Sequence, residues 1–298
     1  MRFRAPLALL LAVPLVAGST GAERRPSRGA ALPSVPLPPR SGAPGSLQEG
    51  ELQQSFDQIL DLYVRDGFVY YKALKGDRAK LDRYLASLAL TPGYDTWPRT
   101  RQVAFWLNAY NGFVLQSVIN NYPIRGHAAA YPSDSLRQIP GAFDRTTHRA
   151  AGRALTLDAI ENTVLPAFKD PRVYFALGRG AAGGGRLRSE AYMADKLEDQ
   201  LKAVAVEVVT RPSLFSVDQA AGQIRLSPIF GWHEAEFAAA YAADADPRFA
   251  GRSPLERAVV AFALPKLLPD EAEFVNKNTF HVSYGTFDWR LNDLATRR

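Results

Sequence analysis

The stretch that most constrains this chain is Arg101 to Tyr122, RQVAFWLNAYNGFVLQSVINNY. At 3.6 residues per turn it makes about six helical turns. Val103, Leu107, Tyr110, Val114 and Val118 recur at spacings of four and three, the stripe of an amphipathic helix. Phe105, Trp106 and Phe113 carry the apolar surface almost all round, so the pattern predicts a helix at the centre of the fold. Asn108 and Asn111 lie three apart and share a face of it. An unsatisfied polar group in a core costs on the order of 1–3 kcal/mol. These two amides therefore either clamp neighbouring backbone or line a cleft holding water or ligand, and the sequence leaves both open.

The rest of the chain is read around that helix. Leu52, Phe56, Ile59, Leu60 and Tyr63 predict a first helix from Leu47 to Asp66, stopped by Gly67. Phe68 to Tyr71 reads as a short extended run, and Asp77 to Leu90 as a second helix. From Tyr122-Pro123 to Arg153 no period is present, and irregular stretches this long are often functional. Thr156 reads as an N-cap, with Asp158 and Glu161 early in a helix whose dipole favours negative charge there, and Pro166 near its end. Arg172 to Leu177, RVYFAL, reads as a buried strand, followed by a helix from about Ser189 to Val208. Leu214 to Val217 and Gln223 to Ser227 read as a hairpin. Glu234 to Tyr241 and Pro254 to Leu268 read as helices, and Phe280 to Tyr284 and Phe287 to Trp289 as strands. The fold class expected is α+β, with a central apolar helix and a sheet formed mostly by the second half.

The first 22 residues predict a secretory signal: Arg2 and Arg4, an apolar run from Ala5 to Ala17, and small residues at Thr20-Gly21-Ala22. That run is short of the roughly 20 residues a membrane span needs, and no transmembrane helix is expected in the mature chain. Residues 23–46, rich in Pro, Arg, Gly, Ser and Ala, read as a disordered linker, and residues 47–298 as one domain. The chain is thus expected to be exported, to a periplasm or the extracellular space. Of the net charge of +6, residues 1–47 hold six arginines against one acid, leaving +1 for the rest. No basic stripe interleaved with aromatics is present, so nucleic acid is not an expected partner. The chain has no cysteine, which removes disulfides, thiolate nucleophiles and thiolate metal sites together.

Four histidines, His127, His148, His233 and His281, form no local pair or HExxH, and no metal site or cofactor is expected. No GxSxG is present. Acid pairs such as Glu234 with Glu236, or Asp288 with Asp293, read first as solvated charges or caps. Gly178-Arg179-Gly180-Ala181-Ala182-Gly183 is literally G-x-G-x-x-G after an apolar run. Gly184, Gly185, Arg186 and Leu187 intervene before the next expected helix, and Asp195, Glu198 and Asp199 fall on that helix. A flexible turn or generic anion nest is therefore the plainer reading than a dinucleotide site.

Several stretches taken together resemble the family catalogued as domain of unknown function 547. They are DGFVYYKAL, AFWLNAYNGFVLQSVINNYP, LTLDAIEN, DPRVYFAL, LRSEAY, LSPIFGW and YGTFDWRLND, spread over roughly Phe56 to Asp293. The resemblance implies that Trp106, Asn108, Tyr110 and Asn111 share their roles with the family, whose activity it does not supply. In the family pattern the strand matching RVYFAL carries a histidine and leads into a turn with two cysteines, roughly N-C-A-S-x-S-C-P. Here Tyr174 stands at that histidine, Arg179 at the first cysteine, Gly184 at the second, and Asn162 at the histidine of IEH. If the family uses a histidine-assisted thiolate, this chain has lost it. Arg179 would then set a guanidinium, beside free backbone N–H groups, where the thiol stood, an arrangement suited to a carboxylate or phosphate.

The candidate ligand-binding residues are accordingly Trp106, Asn108, Tyr110, Asn111, Tyr174, Arg179 and His281. The first reading is a ligand- or partner-binding protein without cysteine chemistry, a possible pseudoenzyme. The alternatives are an envelope hydrolase or transferase using carboxylates with His233 or His281, and a structural envelope protein.

Overall fold

A computed structural model of the chain describes residues 49–296. The expected signal sequence and linker lie outside the described residues. The fold is mixed α+β and mostly helical. Its axis is the helix expected from the sequence, α4 (Arg99–Asn121), in which 16 of 23 residues are buried, so every face of it meets protein. Helices α1 (Glu49–Tyr63), α2 (Tyr71–Gly76) and α3 (Ala79–Leu88) pack against it. Phe56 and Tyr84 stack with ring centroids 4.5 Å apart beside Gly112. A Cβ there would lie 2.9 Å from Leu85 Cδ2, so Gly112 is what lets α3 approach. Between α1 and α2, β1 (Val64–Arg65) and β2 (Phe68–Val69) form a two-residue antiparallel pair.

The stretch from 123 to 153, expected to be irregular, contains one strand of a small antiparallel hairpin, β3 (His148–Ala150), whose partner is β4 (Arg153–Leu155). Thr156 then caps the next helix as expected, its hydroxyl accepting from the Ala159 N–H at 3.0 Å. That helix runs as α5 (Leu157–Ala159), widens into a π turn at Ile160–Val164 and tightens to a 3₁₀ turn at Leu165–Phe168. π turns concentrate at functional sites, and this one carries Glu161.

RVYFAL is not a strand. Pro171–Phe175 is a 3₁₀ turn, because the Asp170 carboxylate accepts from the Arg172 N–H at 3.1 Å and Pro171 supplies the fixed first φ. Local cap chemistry outweighs the apolar run. The helix expected from Ser189 begins only at α6 (Leu197–Thr210). The second half holds the larger sheet, in the order β5 (Phe215–Asp218), β6 (Gln223–Leu226), β7 (His281–Tyr284). Its β5–β6 pair is the expected hairpin, and β7 joins β6 in parallel. Phe287 to Trp289 is not a strand, although its neighbourhood is tied down by main-chain bonds. Helices α7 (Pro228–Trp232), α8 (Glu234–Tyr241), α9 (Pro254–Ala263) and α10 (Pro269–Asn276) complete the domain. Among the described residues no helix is long and apolar enough to cross a membrane.

His148 at the start of β3 is buried, stacked on Phe113 at 4.5 Å, with its Nε2 lacking a partner among the described residues. Burial lowers its pKa from the usual 6.5 to about 4. The unfolded chain therefore takes up this proton first. Stability from the neutral ring is complete above pH 6.5 and is lost as the pH falls through 4. The expected loss is about 3 kcal/mol. Urea melts of parent and His148→Phe between pH 7 and pH 4 check it: the variant is expected to lose this slope.

Candidate functional site

Tyr110 of α4 meets a buried carboxylate, Glu161, on the π turn. Glu161 is 7% exposed and holds three donors: Arg179 Nη2 at 2.5 Å and His233 Nε2 at 3.0 Å on Oε1, and the Tyr110 hydroxyl at 3.1 Å on Oε2. Burial pushes its carboxyl up, but the Arg179 charge and the bonds from His233 and Arg179 outweigh this and hold it at about 2. Burial likewise works against the Arg179 cation, and Glu161 more than restores it. The pair is a neutral unit with both members ionised.

Arg179 is 2% exposed and adopts a left-handed backbone, φ 50°, directly before Gly180 at φ 63°. A non-glycine residue there costs on the order of 1–3 kcal/mol, and the bonds to Glu161 and to the Tyr174 and Leu177 carbonyls hold it in place. The Tyr174 ring lies flat on the His233 imidazole, centroids 3.4 Å apart and planes within 2°. The Glu161 carboxylate accepts from His233 Nε2, which fixes the orientation of the ring. Arg179 Nε and the Tyr174 hydroxyl are buried without a partner among the described residues.

Glu161, Arg179 and His233 floor a cavity of about 290 Å³ lined also by Arg137, Phe143, Asp158, Asn162, Trp232 and Trp289. Its wall is aromatic: Trp232 and Trp289 are nearly parallel at 22° with centroids 6.1 Å apart. The Arg137 guanidinium sits 4.2 Å from the Phe143 ring centre and 4.6 Å from that of Trp289. Asp158 lies one turn before Glu161 and Asn162 on the same helical segment. Burial raises the Asp158 carboxyl above the usual range, with Arg137 opposing and Glu161 and Asp144 adding to the shift. Among the described residues neither Arg137 nor Asp158 has an ion pair within 4 Å, and the Asp158 carboxylate accepts no hydrogen bond.

Residues 94–208 match the family model described as "Protein of unknown function, DUF547". This stretch is a DUF547 domain. It supplies Arg137, Phe143, Asp158, Glu161, Asn162 and Arg179 to the cavity, while Trp232, His233 and Trp289 come from beyond the matched DUF547 stretch. No curated protein and no solved structure matches the chain.

Of the residues singled out in the sequence, Arg179 lines the cavity and Tyr110 and Tyr174 brace its floor. Five of the N–H groups around Arg179 are engaged within the protein. Those of Gly178, Ala181, Ala182, Gly183 and Gly184 all donate within the protein, to Asn111 Oδ1 and to the carbonyls of Gly178, Arg290, Asp288 and Ala181. The glycine turn is a packed junction with the C-terminal segment. Trp106, Asn108, Asn111 and His281 do not line the cavity. Trp106 is fully buried and donates to the Tyr94 hydroxyl, and His281 is exposed on β7.

Asn108 and Asn111 are backbone clamps. Asn108 Nδ2 donates to Tyr192 O at 2.8 Å and its Oδ1 accepts from Tyr192 N at 2.9 Å. Asn111 does the same with Ala176 O and Gly178 N, at 3.0 and 2.9 Å. Asn111→Ala orphans two buried backbone groups and is expected to lower stability by about 2–3 kcal/mol in a urea melt.

The sequence reading passed over Arg137, which stands in the aperiodic stretch, and took Asp158 and Glu161 as helix-dipole acids. His233 follows Trp232 directly and Phe230 by three residues, an aromatic neighbourhood in keeping with its burial.

Proposed function

We propose that this is an exported binding protein whose cavity takes a small zwitterion of the amino-acid or short-peptide kind, without cysteine chemistry. The observation that carries the reading is the charge arrangement. Arg179 and Glu161 neutralise each other on the floor, while Arg137 and Asp158 face the same 290 Å³ with opposite charges and, among the described residues, no ion pair of their own. A ligand carboxylate suits Arg137 and a ligand ammonium suits Asp158. Trp232 and Trp289 offer apolar faces to its side chain. A buried unpartnered atom of a lining residue, Arg179 Nε, adds polar capacity to the floor. Export rests on the Arg2 and Arg4 start, the apolar run and the small residues that follow it.

The test is a thermal-shift panel of amino acids and dipeptides on the full chain, since binding to the folded state alone must raise Tm. At least one member is expected to raise it. Arg137→Ala and Asp158→Asn are each expected to weaken that ligand about tenfold or more, as loss of a charged hydrogen bond does. No shift across the panel would turn the assignment to a protein partner or a structural role.

A second reading is favoured by one contact, the 3.0 Å bond by which Glu161 orients His233. In a hydrolase the same pair would leave His233 Nδ1 to take a proton from water. Turnover of a peptide or ester lost in His233→Ala, with folding retained, would establish that reading over the first.

A further inference from the structure

A larger cavity lies elsewhere in the domain. It measures about 420 Å³ and opens at the start of α4, between the 165–175 turns, α6 and α8. Its volume is within the range of small-molecule sites. The floor is apolar and belongs to the core: Val103, Phe168, Leu197 and Leu201 line it and are each 6% exposed or less.

The rim is charged, and its charges are not balanced. Arg172 is fixed as a fork between two carboxylates, Nη2 reaching Asp170 Oδ2 and Glu198 Oε2 at 2.8 Å each. Lys202 lies 3.9 Å from Glu198 as well. The rim acids are thus already engaged. Arg99 and Lys169 have no ion pair among the described residues, and the Arg99 guanidinium sits 5.4 Å from the Phe168 ring centre, over the apolar floor. Lys169 is held at the rim in a left-handed conformation, φ 49°, at the end of the Leu165–Phe168 turn. Two free cations above an apolar floor match a molecule with one anionic end and one aliphatic end.

We infer that this second cavity binds a single-chain amphiphile, its carboxylate or phosphate between Arg99 and Lys169 and its aliphatic body on Val103, Phe168, Leu197 and Leu201. The site is independent of the zwitterion site, with which it shares no lining residue. Ala240 lines it from α8 and is only half-buried, so a bulky side chain there fills space without opening the core.

The experiment is calorimetric titration of the full chain with octanoate, octylammonium and octyl glucoside, one tail with three heads, and co-sedimentation with phosphatidylglycerol vesicles. Octanoate is expected to bind saturably at one site, and the other two at least tenfold more weakly. The double variant Arg99→Gln/Lys169→Gln is expected to lose about tenfold for octanoate, the scale of two exposed charges. Ala240→Trp is expected to abolish binding, with Thr100→Trp at the mouth as a second block should the first variant melt early. Asp158→Asn, which belongs to the other cavity, is expected to leave octanoate binding unchanged. Equal affinity for the three heads, binding that survives both tryptophans, absence of saturable binding, or binding to vesicles alone would each overturn the inference.

Discussion

Glu161→Ala is expected to destabilise the protein by about 3–5 kcal/mol, because it leaves the Arg179 cation buried with no counter-charge. The expectation follows from the geometry of the pair: Arg179 is 2% exposed, its guanidinium reaches Glu161 at 2.5 Å, and its other acceptors are neutral carbonyls. The same variant strips His233 Nε2 and the Tyr110 hydroxyl of their acceptor. Removing the charges together is a different matter. Glu161→Leu with Arg179→Met is expected to be more stable than either single variant, since a buried ion pair contributes little over apolar groups of like volume. Urea melts of the cycle decide it. The linkage has a definite sign. Glu161 is held at about 2 in the fold, below its ordinary 4.5, so its contribution is complete above pH 4.5 and is lost as the pH falls through 2.

Gly185→Ala is expected to have the largest effect of any single methyl group in the chain. A Cβ at this position would lie 1.7 Å from the Phe175 carbonyl oxygen and 2.4 Å from its carbon, and both are backbone atoms that no rotamer change removes. The neighbours leave no slack. A Cβ on Gly184 would meet Gly178 O at 2.6 Å, and one on Gly183 the Asp288 N at 2.5 Å. A loss of more than about 4 kcal/mol is expected, with the 3₁₀ turn displaced together with Tyr174, which braces the floor through His233. Gly76→Ala, which meets nothing within 4 Å, is the control and is expected to stay within about 1 kcal/mol of the parent. The comparison separates crowding at the turn from glycine replacement in general.

Much of the scaffold was legible because it is periodic. The central helix shows its apolar positions at spacings of three and four, and the Thr156 cap and the β5–β6 hairpin carry local signals that the structure keeps. The asparagines were legible as a choice between clamp and cleft, and only the positions of Tyr192, Ala176 and Gly178 decide for the clamp. RVYFAL misled because its apolar residues are buried in a turn set by Asp170 and Pro171, not in a sheet. The site was the least legible part. Its walls come from Arg137, Trp232 and Trp289, far apart in sequence, and Glu161 differs from a surface helix acid only through Arg179 and His233. The family resemblance pointed to Arg179 as the thiol's replacement, but its partner was visible only in three dimensions.

One measurement bears most directly on the zwitterion site: calorimetric titration with the amino acid that most raises Tm, beside its N-acetyl derivative and its methyl ester. Each derivative removes one of the two charges and keeps the side chain. With Arg137 holding the carboxylate and Asp158 the ammonium, both are expected to bind at least tenfold more weakly than the parent amino acid. The ester loss is expected to vanish in Arg137→Ala and the N-acetyl loss in Asp158→Asn. Undiminished binding of either derivative would contradict the assignment.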